Sequence, residues 1–184
     1  DHLPAATAKF YKKYNISHLK GFEEGQFESV HAGYDPVYAN ENPNRVLPLD
    51  LLKELEELGE IGSLYEHYFV TTGNSTSVAD ATRMGEEIAK ELKDAGVDGA
   101  IMTSTWGTCT RCGATIVKEI ERIGIPAAHI CTVTPISKTV GAIRIIPAIA
   151  IPYPVGNPEL SEAKEKEARM KVVKRALTSL KEGF

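Results

Sequence analysis

From residue 64 onward, short apolar runs alternate with longer stretches of helical period, and this alternation narrows the possible folds more than any other feature. His67–Val70, residues 99–102 and Ala127–Cys131 each read as a strand, the first largely aromatic and the other two rich in small or β-branched apolar side chains. Between them, residues 78–95 place Ala81, Met84, Ile88 and Leu92 on one helical face, with Gly96 at the stop. Residues 112–123 do the same with Ile116, Val117 and Ile120, and Gly124 ends the run. Such alternation predicts an α/β fold: three αβα layers, Rossmann-like, around a mostly parallel sheet. Residues 143–151 form one more apolar run, and prolines at 147, 152 and 154 make it an edge strand or a switch into loop. Residues 158–180 read as a charged amphipathic helix capped near Ser161, with the Glu/Lys run 159–174 on a solvated face.

Residues 1–63 lack this regularity and read as an irregular extension with short helices, ahead of an α/β domain over 64–184. Residues 7–14 predict a short helix. The polar stretch 21–45, with His31-Ala-Gly-Tyr34-Asp35 and Asn42-Pro-Asn-Arg45, is long for a structureless loop. It therefore wraps a partner surface or carries part of a site. Pro48 and Asp50 predict a helix start with Asp50 as N-cap, continued by Leu51, Leu52, Leu55 and Leu58 to Gly59. The first residue is Asp1, not Met, which suggests part of a larger or processed subunit.

Charge and composition exclude several functions. The net charge is −4 with no Lys/Arg stripe, so nucleic acid is not an expected partner. The longest apolar run, around 145–151, is too short for a bilayer and holds Pro147, and no secretory signal is visible. Three cysteines do not make a disulfide framework, so a reducing cytoplasm is expected.

Ligands of parallel α/β sheets collect at the carboxyl ends of the strands. Three polar loops fall there: 71–77, 103–112 and 132–139. The middle one contains Ser104-Thr-Trp-Gly-Thr-Cys109-Thr-Arg-Cys112-Gly113. A Cys-x-x-Cys at a helix start has a direct chemical use, because the helix N-terminus favours a thiolate and the second thiol lies one turn on. Three readings of these residues stand side by side: redox or nucleophilic chemistry at Cys109 and Cys112, a Cys₃His zinc set with His129 and Cys131, and plain packing. Thr103, Ser104, Thr105 and Asn74 are candidates to bind a substrate carboxylate, and Thr108 is the expected cap of the helix. His31, Tyr34, Asp35 and Arg45 lie in the irregular stretch; Arg45 could hold a carboxylate bidentately or sit on the surface.

Residues 101–121, 124–137 and 140–152 together resemble the selenoprotein subunit of component B of the glycine, sarcosine and betaine reductases, with weaker likeness around Asn42 to Arg45 and Val70 to Asn74. The family motif is selenocysteine-x-x-Cys-x-x-Cys. Aligned on Cys109 and Cys112, the selenocysteine falls on Trp106, the single tryptophan of the chain. Selenocysteine is encoded by UGA, one base from the tryptophan codon UGG, so Trp106 is expected to mark a selenocysteine position.

The resemblance implies an oxidoreductase subunit that reductively cleaves the C–N bond of a small amino acid. A pyruvoyl group on partner component B subunits activates the substrate, the selenolate takes the carboxymethyl group, and selenoprotein A receives it. Catalytic residues would be position 106, Cys109 and Cys112, the cysteines in an auxiliary redox role. No metal or cofactor is expected on this chain beyond selenocysteine at 106. The alternatives are a thiol–disulfide oxidoreductase using Cys109 and Cys112, and a non-catalytic subunit that docks the pyruvoyl partner.

Overall fold

The computed structural model describes residues 6–182. The elements run β1 (Lys12–Asn15), α1 (Val37–Glu41), a 3-10 turn (Pro43–Arg45), α2 (Leu49–Glu57), β2 (His67–Val70), α3 (Val78–Asp94), β3 (Ala100–Ser104), α4 (Gly107–Arg122), β4 (Ala127–Cys131), α5 (Thr134–Val140), β5 (Arg144–Pro147) and α6 (Glu162–Leu180).

The three-layer arrangement is present. β3, β4 and β5 form a parallel sheet with β4 in the centre. Every residue of β4 is buried, and its alternation divides the core between the two faces. Ala127 packs with Met84, Ile88, Ile116, Val117 and Ile120, so α3 and α4 cover one face. Ala128 and Ile130 pack with Leu51, Leu55, Val172, Val173 and Ala176, so α2 and α6 cover the other. Each fully buried Leu or Ile contributes roughly 1.5–3 kcal/mol. The register Ser104–Cys131–Pro147 brings the carboxyl ends of the three strands to one edge. No helix among the described residues is long and apolar enough to cross a membrane.

Several local expectations are corrected. His67–Val70 is a strand, but it pairs antiparallel with β1 in a separate two-stranded ribbon. The predicted helix over 7–14 gives way to β1, because Tyr14 lies opposite Tyr68 with ring centroids 5.4 Å apart and Tyr11 meets Phe69 edge-on. Those cross-strand aromatic contacts bury more than an isolated short helix could. The predicted loop 132–139 is largely α5, which Pro135 starts at its first turn and Gly141 ends with φ 104°. α2 begins after Pro48, leaving Asp50 in its first turn, and α6 begins at Glu162 behind Ser161, whose side chain makes no capping bond.

The charged run 159–174 is not uniformly solvated. Glu165 and Arg169 are 7% and 4% exposed. Glu165 takes Arg45 in a fork, Nε to Oε1 at 2.8 Å and the second nitrogen to Oε2 at 3.2 Å, while Arg169 grips Asp50. Arg45 is thus neither a surface arginine nor open to a substrate carboxylate. These charges are tolerated inside because each is paired and hydrogen-bonded.

Candidate functional site

Three segments meet at the carboxyl edge of the sheet: loop 71–77, the start of α4, and the stretch around His31. α4 starts at Gly107, five residues before the position its apolar period suggests, because Thr110 and Cys112 are already buried at 0% and 1% exposure. Packing here overrides the modest helix propensity of Gly, Thr and Cys. Trp106, not Thr108, is the N-cap, extended at φ −86°, ψ 170°. Its carbonyl accepts from the Thr110 amide at 2.8 Å and the Thr110 hydroxyl at 3.0 Å. Its side chain offers no acceptor to the first-turn amides and is 38% exposed.

Cys109, the third residue of α4, is the half-buried centre of this cluster. Its sulfur lies 3.2 Å from His31 Nε2 and 3.7 Å from the Thr72 carbonyl. Gly73 makes that approach possible: its φ is 68°, and a Cβ there would stand 2.8 Å from the Cys109 Cα. Thr108 Oγ1 reaches Asn74 Oδ1 at 3.4 Å, and Arg111 donates to the Thr76 carbonyl at 2.8 Å, so loop 71–77 is pinned to α4.

His31 is held from its other side. The Gly33 amide donates to Nδ1 at 2.9 Å, and Tyr34 stacks on the ring at 4.5 Å between centroids. Burial lowers the His31 pKa. Burial also raises that of Tyr34, opposed by a hydrogen bond to Thr105 and reinforced by the charge of Cys109. A methyl at Gly33 would meet the Trp106 indole and the His31 ring at 3.1 Å each, so these groups are in close proximity.

Beneath the site lies a buried polar chain. His129, 0% exposed, shares hydrogen bonds with Ser104 Oγ at 2.8 Å through Nε2 and with Ser137 Oγ at 2.7 Å through Nδ1. Ser104 in turn donates to the Cys109 carbonyl at 3.2 Å. Burial pushes the His129 imidazole down to about 4. The Cys112 thiol is pushed up to about 11 by burial, against hydrogen bonds from Thr71 and Thr76. Burial also raises Cys131, opposed by Ser137.

Of the residues singled out in the sequence, Trp106, Cys109, Thr108 and Asn74 share one surface. Ser104 is 4% exposed with its hydroxyl engaged inside the fold, and Thr105 is 8% exposed beside Tyr34. Thr103 is half-buried in β3. The Cys₃His set is not assembled: both His129 nitrogens face serines, and no group of three His, Cys, Asp or Glu among the described residues could hold a metal ion. Beyond the unusual length of its polar loop, no sequence signal marks His31 as a partner of Cys109.

Comparison with known proteins extends this picture. A family model described as glycine/sarcosine/betaine reductase selenoprotein B matches residues 1–105. The gamma subunit of glycine reductase complex component B from Carboxydothermus hydrogenoformans is 54% identical over 180 residues, 98% of this chain and 41% of that protein. The beta subunit of betaine reductase complex component B from Peptoclostridium acidaminophilum is 46% identical over 98% of this chain and 41% of its own. The gamma subunit of D-proline reductase from Acetoanaerobium sticklandii is 32% identical over 72% of this chain and 57% of its own. The chain thus spans about 41% of the length of the component B relatives. No solved structure matches.

Proposed function

The chain belongs to the glycine/sarcosine/betaine reductase selenoprotein B family, and from that premise we propose that it brings position 106 and Cys109 to a component B that cleaves the C–N bond of a small amino acid. The observation that carries this reading is where position 106 stands. It caps a 16-residue helix, at the surface, above first-turn amides that its own side chain does not serve. Helix N-terminal amides and the macrodipole stabilise an anion at such a point. An indole cannot use them, since its only polar group is a donor.

Selenocysteine at this position would supply a nucleophile ionised at neutral pH, able to take up the carboxymethyl group. A pyruvoyl group on a partner subunit would supply activation of the substrate nitrogen. The residues of this chain do the rest. The amides of Gly107, Thr108 and Cys109 favour negative charge at 106. Gly33 leaves room beside it, and Cys109 stands one turn further along the same helix face. Pyruvoyl subunits, selenoprotein A and the amino acid are the proposed partners, in a cytoplasmic complex. Thiol–disulfide exchange between Cys109 and Cys112 is disfavoured by the burial of Cys112 and its raised pKa.

The test is the Trp106→selenocysteine protein, assembled with its partner subunits. It should take a labelled haloacetate at position 106 and turn over substrate, while the tryptophan form does neither. The native gene should read UGA at this codon. Substrate-dependent turnover by the tryptophan form, or a UGG codon in the native gene, refutes the assignment.

A further inference from the structure

We infer that His31 and Cys109 form a second nucleophilic centre, in which the neutral imidazole donates its Nε2–H to the sulfur, and that Cys109 is the thiol of this chain that reacts with a small alkylating electrophile. This goes beyond the role proposed for position 106 and does not require selenium there.

The tautomer follows from the geometry. The Gly33 amide points its hydrogen at Nδ1, so Nδ1 must carry a lone pair. The proton of the neutral ring is then on Nε2, the atom 3.2 Å from the sulfur. A donor placed there stabilises negative charge as it develops on sulfur. The thiol proton has its own acceptor in the Thr72 carbonyl at 3.7 Å. His31 thus acts as a donor, not as a base, and its stacking on Tyr34 fixes the plane of the ring.

The surroundings select Cys109 over the other two thiols. Cys112 and Cys131 are 1% and 0% exposed, whereas Cys109 is half-buried at the surface. The charged and titratable groups around the pair are few. Tyr34 and Asp35 come from its own loop, Asp35 accepting from the Val37 amide. Arg111 and Cys112 come from α4, Arg111 being held on the Thr76 carbonyl. Loop 71–77 presents the neutral Thr72, Gly73 and Asn74. Burial lowers the His31 pKa, which favours the neutral ring. In the reaction the thiol releases its proton to solvent. The sulfur lone pair forms a bond to an sp3 carbon as that carbon's bond to its leaving group breaks, and the leaving group departs with the electron pair.

Iodoacetamide labelling of the native chain, mapped by peptide mass spectrometry, tests this. Cys109 should label while Cys112 and Cys131 stay protected. His31→Phe should slow labelling of Cys109 roughly tenfold at neutral pH, the loss of one charge-assisted hydrogen bond. His31→Gln, which keeps an N–H donor, should recover most of the rate. Continued protection of Cys112 and Cys131 reports that each variant is folded. In the unmutated chain, nitrogen-15 shifts of the His31 ring should show the proton on Nε2. Wild-type labelling in His31→Phe, no recovery in His31→Gln, labelling of Cys112 or Cys131 as fast as Cys109, or the proton on Nδ1 would each overturn the inference.

Discussion

His31 and Cys109 are 78 residues apart in sequence and 3.2 Å apart in space, nitrogen to sulfur. The irregular N-terminal stretch is therefore built into the site at the helix start. The contact depends on Gly33 on one side and Gly73 on the other, both of which leave no space for a side chain.

Gly73→Ala should damage the site and the stability together. The backbone φ of 68° is strained for alanine, and the new Cβ would lie within 3.0 Å of Cys109 atoms. A loss of about 1–3 kcal/mol is expected in urea denaturation. Iodoacetamide labelling of Cys109 should change in the same protein. Unchanged stability would mean that the loop swings away freely.

Trp106→Asp should stabilise α4. It places an acceptor at the N-cap, where the tryptophan side chain provides none. A gain of about 0.5–2 kcal/mol is expected from thermal or urea unfolding. A loss instead would argue that the indole packs productively or that the first-turn amides are already satisfied, which would weaken the proposed role of position 106.

Glu165→Ala should destabilise by about 1–3 kcal/mol, because it leaves a largely buried guanidinium with only its contacts to the exposed Glu41 carboxylate and the Tyr38 carbonyl. Arg45 loses both arms of its fork, and the Asn157 amide loses its acceptor. Urea denaturation measures the loss. A change below about 1 kcal/mol, the range of a surface pair, would show that Arg45 finds water instead.

His129 gives the fold a specific pH dependence. Its folded-state pKa is about 4, below the ordinary 6.5. Between those values the unfolded chain holds a proton that the folded chain refuses. Stability from this group is therefore complete above pH 6.5 and falls as pH drops toward 4, by roughly 3 kcal/mol in total. His129→Gln should flatten this part of the stability profile relative to the unmutated chain. Parallel profiles for the two proteins would contradict the assignment.

Much of the architecture is legible in the sequence because it rests on periodicity. Ala81, Met84, Ile88 and Leu92 announce α3, and the five buried residues of β4 announce a central strand. The motif Trp106, Cys109, Cys112 was equally visible, since spacings of three place residues on one helical face. Local pattern could not decide what long-range packing decides. Residues 7–14 look helical in isolation, yet β1 follows from aromatic partners more than fifty residues away, Tyr68 and Phe69 among them. Glu165 and Arg169 look like solvent charges until Arg45 and Asp50 close on them. The sequence by itself determined a parallel sheet between two helical layers and the spacing of the motif. Only the tertiary structure decided which cysteine is served by a histidine, because that depends on the path of a polar loop whose ends are fixed by contacts, not by period.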